Sequence, residues 1–250
     1  MDNDAFYEKA ERSFRELFEA ARKRDELQSA FSLNPEFRGL QRPGWSTAAE
    51  SSKAFDEYVE FIGEGDLTRL KARVALAFYC HLAEAAGLYE VPKNKLRVAD
   101  GEPYNLWPFS HLVKQHALTG KTIAPNSNKV LRDLAGHAQT SGFVELAEVF
   151  RDAFDGDLRN GYSHADYVVW DDGIRLPMRN GGNPRIVAWS EFHELFHRGV
   201  NFYIILRNVI AEFVGSYCPE KQIRGRLDDE SERTWTIRFD PTVRTLSISG

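Results

Sequence analysis

The stretch Asp157-Leu158-Arg159-Asn160-Gly161-Tyr162-Ser163-His164 is the part of the sequence around which the chain is organised. Its residues predict the end of a helix, on which Asn160 and His164 lie four positions apart and share a face. A guanidinium binds a phosphate as a permanently charged fork, and an imidazole exchanges a proton near neutral pH. Arg159 lies about 140° around the helix and about 7.5 Å along it from His164. One copy therefore flanks a phosphate loosely, whereas two copies across a twofold axis would close a composite site.

The segments around this stretch have the apolar spacing of amphipathic helices. Directly before it, one stripe is formed by Phe143, Leu146, Ala147, Phe150 and Phe154. Similar stripes predict further helices at residues 4–32, at about 47–62 and 66–82, at 126–140, and from 190 to about 215. The pattern predicts a mainly α protein built as a helical bundle.

Two short β-hairpins are predicted in addition to the helices. The first follows the motif directly, because Tyr167–Trp170 and Ile174–Leu176 flank the turn residues Asp171-Asp172-Gly173. The second lies near the C-terminus, where apolar residues alternate on both sides of a turn at Asp240-Pro241: Trp235, Ile237, Phe239, Leu246 and Ile248. The acidic run Asp228-Asp229-Glu230 is predicted to be a solvated loop.

Prolines divide the chain into regions. Pro92, Pro103, Pro108 and Pro125 predict an irregular excursion over residues 89–124, with a helix within it over Phe109–His116. The expected organisation is a helical domain over residues 1–220 and a C-terminal β-hairpin tail over residues 221–250 that packs on it. Within the domain, N-terminal helices occupy residues 1–88 and the motif-bearing helices occupy residues 125–220.

Composition limits the classes of function. The chain has 250 residues and a formal net charge of −5, which argues against broad, non-specific nucleic-acid binding. A small cleft that binds RNA remains compatible with this charge if nearby arginines converge, namely Arg151, Arg175, Arg179, Arg185 and Arg198. No apolar run is long enough to span a membrane, and the two cysteines, Cys80 and Cys218, fit a reducing, cytoplasmic setting.

The run Arg159-Asn160-x-x-x-His164, placed between an amphipathic helix and Tyr167-Val168-Val169-Trp170, resembles the HEPN superfamily of nucleotide-binding domains. That family carries an arginine, four to six residues of which the first is polar, and then a histidine. The resemblance covers roughly residues 125–215. The toxin-type subgroup has a tyrosine two residues after the histidine, whereas this chain has Asp166 there and its tyrosine is Tyr167.

The resemblance implies a mostly helical, dimeric, metal-independent endoribonuclease that needs no cofactor. Arg159, His164 and Asn160 would be its catalytic residues, and Tyr162, Ser163 and Tyr167 would contact the RNA. His164 would move the proton at the attacking 2′-hydroxyl or the leaving 5′-oxygen, and Arg159 would stabilise the charged transition state. The family further implies toxin–antitoxin, anti-phage defence or RNA-processing settings, with an antitoxin or defence protein as a partner.

Two alternatives stay open beside this function. Some members of the family are inactive, so the chain could instead be an RNA- or protein-binding scaffold. The second alternative is a zinc hydrolase, because His193-Glu194-Leu195-Phe196-His197 places two histidines on one face of a predicted helix. A catalytic zinc needs a third protein ligand, and Glu212 lies about 22 Å from His197 along the same helix. Solvated or interface histidines are therefore the favoured interpretation of that motif.

Overall fold

The computed structural model describes residues 2–35, 46–63, 68–177, 181–227 and 231–250. The protein is mainly helical with small antiparallel sheets, as predicted. The helices are α1 (Asn3–Arg24), α2 (Glu26–Phe31), α3 (Thr47–Gly63), α4 (Arg69–Ala83), α5 (Ala86–Ala99), α6 (Ser127–Thr140), α7 (Val144–Asp152), α8 (Gly156–Ser163) and α9 (Trp189–Gly215).

Helix α1 lies at the centre of the bundle, in contact with α5, α7 and α9. Its stripe of apolar side chains is fully buried, which the spacing predicts: Phe6, Ala10, Phe14, Leu17, Phe18 and Ala21. The helix predicted over residues 4–32 is interrupted at Asp25, whose backbone is extended. The Asp25 carboxylate accepts a hydrogen bond from the Gln28 amide at 2.9 Å and so begins α2.

Helix α5 corrects the prediction of an irregular excursion over residues 89–124. Residues 86–99 form a helix despite Pro92 in its interior, and even its polar residues Glu90, Lys93, Asn94 and Lys95 are buried. Contacts with α1 and α6 therefore override a proline that local propensity treats as a helix breaker. The helix expected over Phe109–His116 is only a short 3₁₀ turn, Ser110–Leu112.

The strands of the described residues form three small antiparallel sheets, of which the first was not predicted and the other two enlarge the predicted hairpins. The first pairs β1 (Lys114–Gln115) with β2 (Thr122–Ile123). The hairpin after the motif, β3 (Val168–Val169) and β4 (Gly173–Leu176), gains a third strand, β5 (Arg185–Ala188). The C-terminal hairpin, β7 (Arg233–Asp240) and β8 (Thr245–Ser249), likewise gains β6 (Lys221–Gly225). Arg185 and Lys221 begin strands that carry little apolar alternation, which is why the sequence did not predict them.

The C-terminal sheet packs on the helical core. Trp235 and Ile237 of β7 are buried within the core cluster, and the Trp235 ring lies 5.7 Å from that of Phe31. The Phe239 amide also donates to the Tyr217 carbonyl at 3.0 Å. The predicted loop Asp228-Asp229-Glu230 lies outside the described residues. Within the described ranges, no helix is long and apolar enough to cross a membrane.

Candidate functional site

Helix α8, which carries the motif, is held rigidly at its first turn. The Asp155 carboxylate accepts from the Leu158 amide at 2.8 Å and caps the helix. The backbone amide of Asp155 donates in turn to the Tyr79 hydroxyl of α4 at 2.6 Å. Because Tyr79 is fully buried, its pKa is raised and it remains a neutral phenol. The first turn of α8 is therefore fixed to the core of α4.

Close packing fixes the other side of α8. A Cβ atom on Gly161 would lie 2.6 Å from the Leu176 side chain and 3.2 Å from the Asp166 carbonyl. Leu158 is also completely buried. Glycine at position 161 therefore allows α8 to approach β4, and the motif residues occupy defined positions on the surface of the domain.

Arg159 is buried, with only 4% of its surface exposed. Its Nη1 atom forms an ion pair with Glu84, the residue that ends α4, and its Nη2 atom donates to Asn160 Oδ1 at 2.6 Å. Its Nε atom is buried and has no hydrogen-bond partner among the described residues. Asp155 and Asp157, the carboxylates nearest to Arg159 in the sequence, pair with Arg185 instead.

Asn160 binds the arginine rather than the histidine. Its side-chain oxygen accepts from Arg159 and, at 3.4 Å, from Asn128 at the start of α6. Its backbone carbonyl accepts from the His164 amide at 3.0 Å, as the helix requires. Asn160 therefore orients the guanidinium of Arg159 rather than the imidazole of His164.

His164 ends α8 and is exposed to solvent. Its position leaves the imidazole accessible at the C-terminal end of the helix. A ligand can therefore reach the ring directly from solvent. The structure thus places a fixed cation and an amide on α8 and an accessible imidazole at its C-terminal cap.

The residues predicted to contact substrate differ in accessibility. Tyr162 and Tyr167 are half-buried, and their rings pack against each other with centroids 5.7 Å apart. Burial raises the pKa of Tyr162. Ser163 is exposed beside His164. The two rings contribute to the small apolar cluster beneath α8, which also contains Ile174.

Among the described residues, the arginines named from the sequence do not converge on one surface of α8. Arg185 binds Asp155 and Glu191, and these acids raise its pKa further. The other described members contact different groups: Arg151 contacts Gln139, Arg175 contacts Asp172 and Trp170, and Arg198 contacts Asn3 and Phe6. Arg179 lies outside the described residues.

The rival zinc motif lies on α9 rather than on α8. The His193 and His197 rings are exposed, with centroids 4.2 Å apart, and partial burial together with His193 lowers the pKa of His197. In the part of the chain that the structure describes, no group of three His, Cys, Asp or Glu side chains is arranged to hold a metal ion. Glu212, the candidate third ligand, is bound to Arg15 near the other end of α9.

Sequence reasoning missed the partners that position the motif. Tyr79, Glu84 and Asn128 belong to α4 and α6 and are between 32 and 76 positions from the residues they bind. No local pattern marks them, because their role depends on how the helices pack. No protein-family model, curated protein or solved structure matches the chain. The chemistry of the site is therefore inferred from its geometry.

Proposed function

We propose that the protein is a metal-independent endoribonuclease of HEPN type, with α8 as its catalytic element. The observation that supports this most directly is the solvent-exposed imidazole of His164 on the helix that also holds the Arg159 guanidinium in a fixed position. A permanent cation and a proton carrier are the two groups that cleavage of an RNA phosphodiester requires.

Each motif residue has a defined role in the reaction. The 2′-hydroxyl attacks the adjacent phosphorus, the bond to the 5′-oxygen breaks, and that oxygen leaves with a proton. His164 takes or gives the proton, and Arg159 stabilises the charge that develops on the phosphate oxygens. Asn160 holds the guanidinium through its 2.6 Å hydrogen bond. The products carry a 2′,3′-cyclic phosphate and a 5′-hydroxyl.

Glu84 controls how Arg159 meets a phosphate. In the free protein the carboxylate neutralises the guanidinium, and 43% of the Glu84 side chain remains exposed. A bound phosphate competes with this half-exposed carboxylate for the same cation. We propose that a second copy of the chain, facing the first across a twofold axis, supplies the opposing α8 and completes the site. Ser163 and the Tyr162–Tyr167 pair would then border the RNA.

The experiment is cleavage of a mixed-sequence RNA in excess chelator by the wild type, His164→Ala and His193→Ala. The proposal expects cleavage by the wild type, its loss in His164→Ala, and its retention in His193→Ala, which removes half of the zinc motif and leaves α8 intact. Intact RNA with the folded wild type, or equal cleavage by His164→Ala, would contradict it. Cleavage in the absence of chelator that is lost both on adding chelator and in His193→Ala would favour zinc chemistry. The molar mass in solution tests the dimer.

A second candidate is an RNA- or protein-binding scaffold without catalysis. The observation that favours it is the burial of Arg159 and its pairing with Glu84, which together give the guanidinium a structural role. A scaffold would dimerise or bind its partner but leave RNA intact in the experiment above. For either function we propose a cytoplasmic setting in a toxin–antitoxin system, in anti-phage defence or in RNA processing. An antitoxin or a defence protein would be the partner.

A further inference from the structure

A groove runs along the outer side of α2, at the opposite end of α9 from the motif. Its largest part has a volume of about 840 Å³ and lies between the end of α1 and strand β6. A second part shares Arg24, Asp25 and Arg226 with the first, and a third part shares Gln28 and Pro103 with the second. The groove therefore continues past Gln28 to the loop at residues 103–107.

The distance between the groove and the motif can be measured along α9. Phe154, just before α8, lies against Gly199 of α9, and Arg22 of the groove lies over Phe213 of the same helix. These positions on α9 are about 21 Å apart at the rise of an α-helix.

The groove contains an excess of cations without carboxylate partners. Three of its acids are already paired or nearly so, since Glu26 binds Lys221, Glu232 approaches Arg224, and Glu102 binds Arg97. A fourth acid, Asp25, caps α2, and a fifth, Glu19, also lines the groove and is exposed. The cations that remain without a carboxylate partner among the described residues are Arg22, Lys23, Arg24 and Arg226.

These four cations are held in one place but left accessible. Lys23, Arg24 and Arg226 are exposed. Arg22 is half-buried, donates to Ser216 at 2.7 Å, and stacks 4.4 Å above the Phe213 ring. The dipole of α1 favours cations at its C-terminal end, but it does not account for Arg226, which reaches the same groove from the other side.

The two sides of the groove are joined by one buried side chain. Gln28 is buried, and its amide oxygen accepts from the Tyr104 backbone amide at 2.8 Å. Its amide nitrogen donates to the Arg226 carbonyl at 3.2 Å. The loop that carries Tyr104 is fixed further by two hydrogen bonds between Asn94 and Asn105. The groove is therefore preformed, which lowers the cost of ordering it around a ligand.

Aromatic side chains border the end of the groove that is far from the cations. Tyr104 and Trp107 line this end, and Trp107 is 58% exposed. Aromatic rings next to a basic track suit a chain of phosphates with unstacked bases, because the cations follow the backbone and the rings stack on the bases. In a duplex the bases are stacked on one another and are not available to stack on these rings.

We propose that this groove binds single-stranded RNA, independently of any cleavage at α8. The strand's phosphates contact Lys23, Arg24 and Arg226, and one base stacks on Trp107.

The test measures the binding of a fluorescent oligouridylate by anisotropy at several salt concentrations, with every variant built on His164→Ala so that the RNA stays intact. The groove variant is Lys23→Ala/Arg24→Ala/Arg226→Ala. Its matched control, Arg12→Ala/Lys53→Ala/Arg238→Ala, removes the same charge from exposed residues outside the groove. We expect the groove variant to weaken binding and to reduce the slope of log K against log salt by about 2, or roughly 0.7 per lost phosphate contact. The control should retain the slope of the parent.

A second pair of variants tests the aromatic contact. Trp107→Ala is expected to weaken binding by about 5-fold to 150-fold, and Trp107→Phe, which keeps a ring, should recover most of it. Equal affinity and slope for the groove variant and the control would overturn the proposal, and so would equally tight binding of a duplex of the same length. Loss of binding on substitution of Asn160 with no change in the groove variant would place the RNA at α8 instead. A protein that cleaves RNA but fails these tests would leave the proposed activity standing and this groove refuted.

Discussion

The basic side chains near the two ends of α9 differ in whether a carboxylate binds them. Near its N-terminal end, Arg159 is buried against Glu84, and Arg185 is bound by Asp155 and Glu191. At its C-terminal end, Lys23 and Arg24 project into an open groove without carboxylate partners among the described residues. The first set of cations stabilises the fold and is available to a ligand only through competition. The second set contributes little to the fold and is free to bind, so the abundance of arginine near a motif does not by itself locate a binding surface.

Removing Glu84 should have the largest effect on stability. Among the described residues, Glu84→Ala leaves the buried Arg159 charge with Asn160 as its hydrogen-bond partner. This change is expected to lower the free energy of unfolding by about 2–4 kcal/mol, below the range for a fully buried pair because Glu84 is half-exposed. Chemical denaturation measures this change. The double variant Arg159→Met/Glu84→Ala, which removes both charges and keeps the apolar volume, should recover most of the loss. If Glu84→Ala has wild-type stability, the guanidinium is not held as described.

Lys95 provides an intermediate case, a buried cation without a carboxylate. Its Nζ atom donates to the Ser29 carbonyl at 2.8 Å and to the Ser29 hydroxyl at 2.7 Å, beneath the groove. Burial, with Arg22 nearby, holds its pKa well below the usual lysine value. Lys95→Met should raise the free energy of unfolding at neutral pH by about 1–3 kcal/mol, because the cost of burying an amine disappears.

The sign of the pH dependence follows from the lowered pKa of Lys95. Between its folded pKa and the unfolded lysine pKa, the unfolded chain binds more protons, so the contribution of Lys95 to stability rises with pH. From about pH 7 to pH 9.5, the wild type should therefore gain stability relative to Lys95→Met. Parallel pH profiles for the two proteins would show that Lys95 is not buried as the structure has it.

The smallest effect on stability is expected at the groove. Lys23→Ala/Arg24→Ala removes two exposed cations and should change the free energy of unfolding by no more than about 0.5 kcal/mol. Thermal unfolding of the variant beside Glu84→Ala makes the comparison directly. A loss as large as that of Glu84→Ala would remove the contrast between the two ends of α9.

Elements with strong apolar periodicity were predicted correctly from the sequence, whereas elements whose structure depends on tertiary contacts were not. The α1 and α9 stripes and the strand of Trp235 and Ile237 follow from spacing alone. The prediction of an irregular segment where α5 lies was wrong, because Pro92 and a run of polar residues do not show that the segment is buried between α1 and α6. Strands β5 and β6 were missed for lack of apolar alternation.

The sequence selected the residues of the candidate site but not the contacts that hold them. Arg159, Asn160 and His164 were selected from six positions of sequence, and the structure places them on one helix. The burial of Arg159 depends on Glu84, which is 75 positions away and is brought near only by the packing of α4 against α8. The groove was likewise hidden, although Arg22-Lys23-Arg24 is a visible basic run, because its other side comes from Arg226 near the C-terminus.

The most direct test of the central claim is the chemistry of the RNA ends that the wild-type protein leaves in excess chelator. The account predicts fragments with 2′,3′-cyclic phosphate and 5′-hydroxyl ends, and their absence with His164→Ala. Fragments with 5′-phosphate and 3′-hydroxyl ends require an attacking water rather than the 2′-hydroxyl. Such fragments, or RNA left intact by the folded wild type, would contradict the assignment of α8 as a transesterifying ribonuclease site.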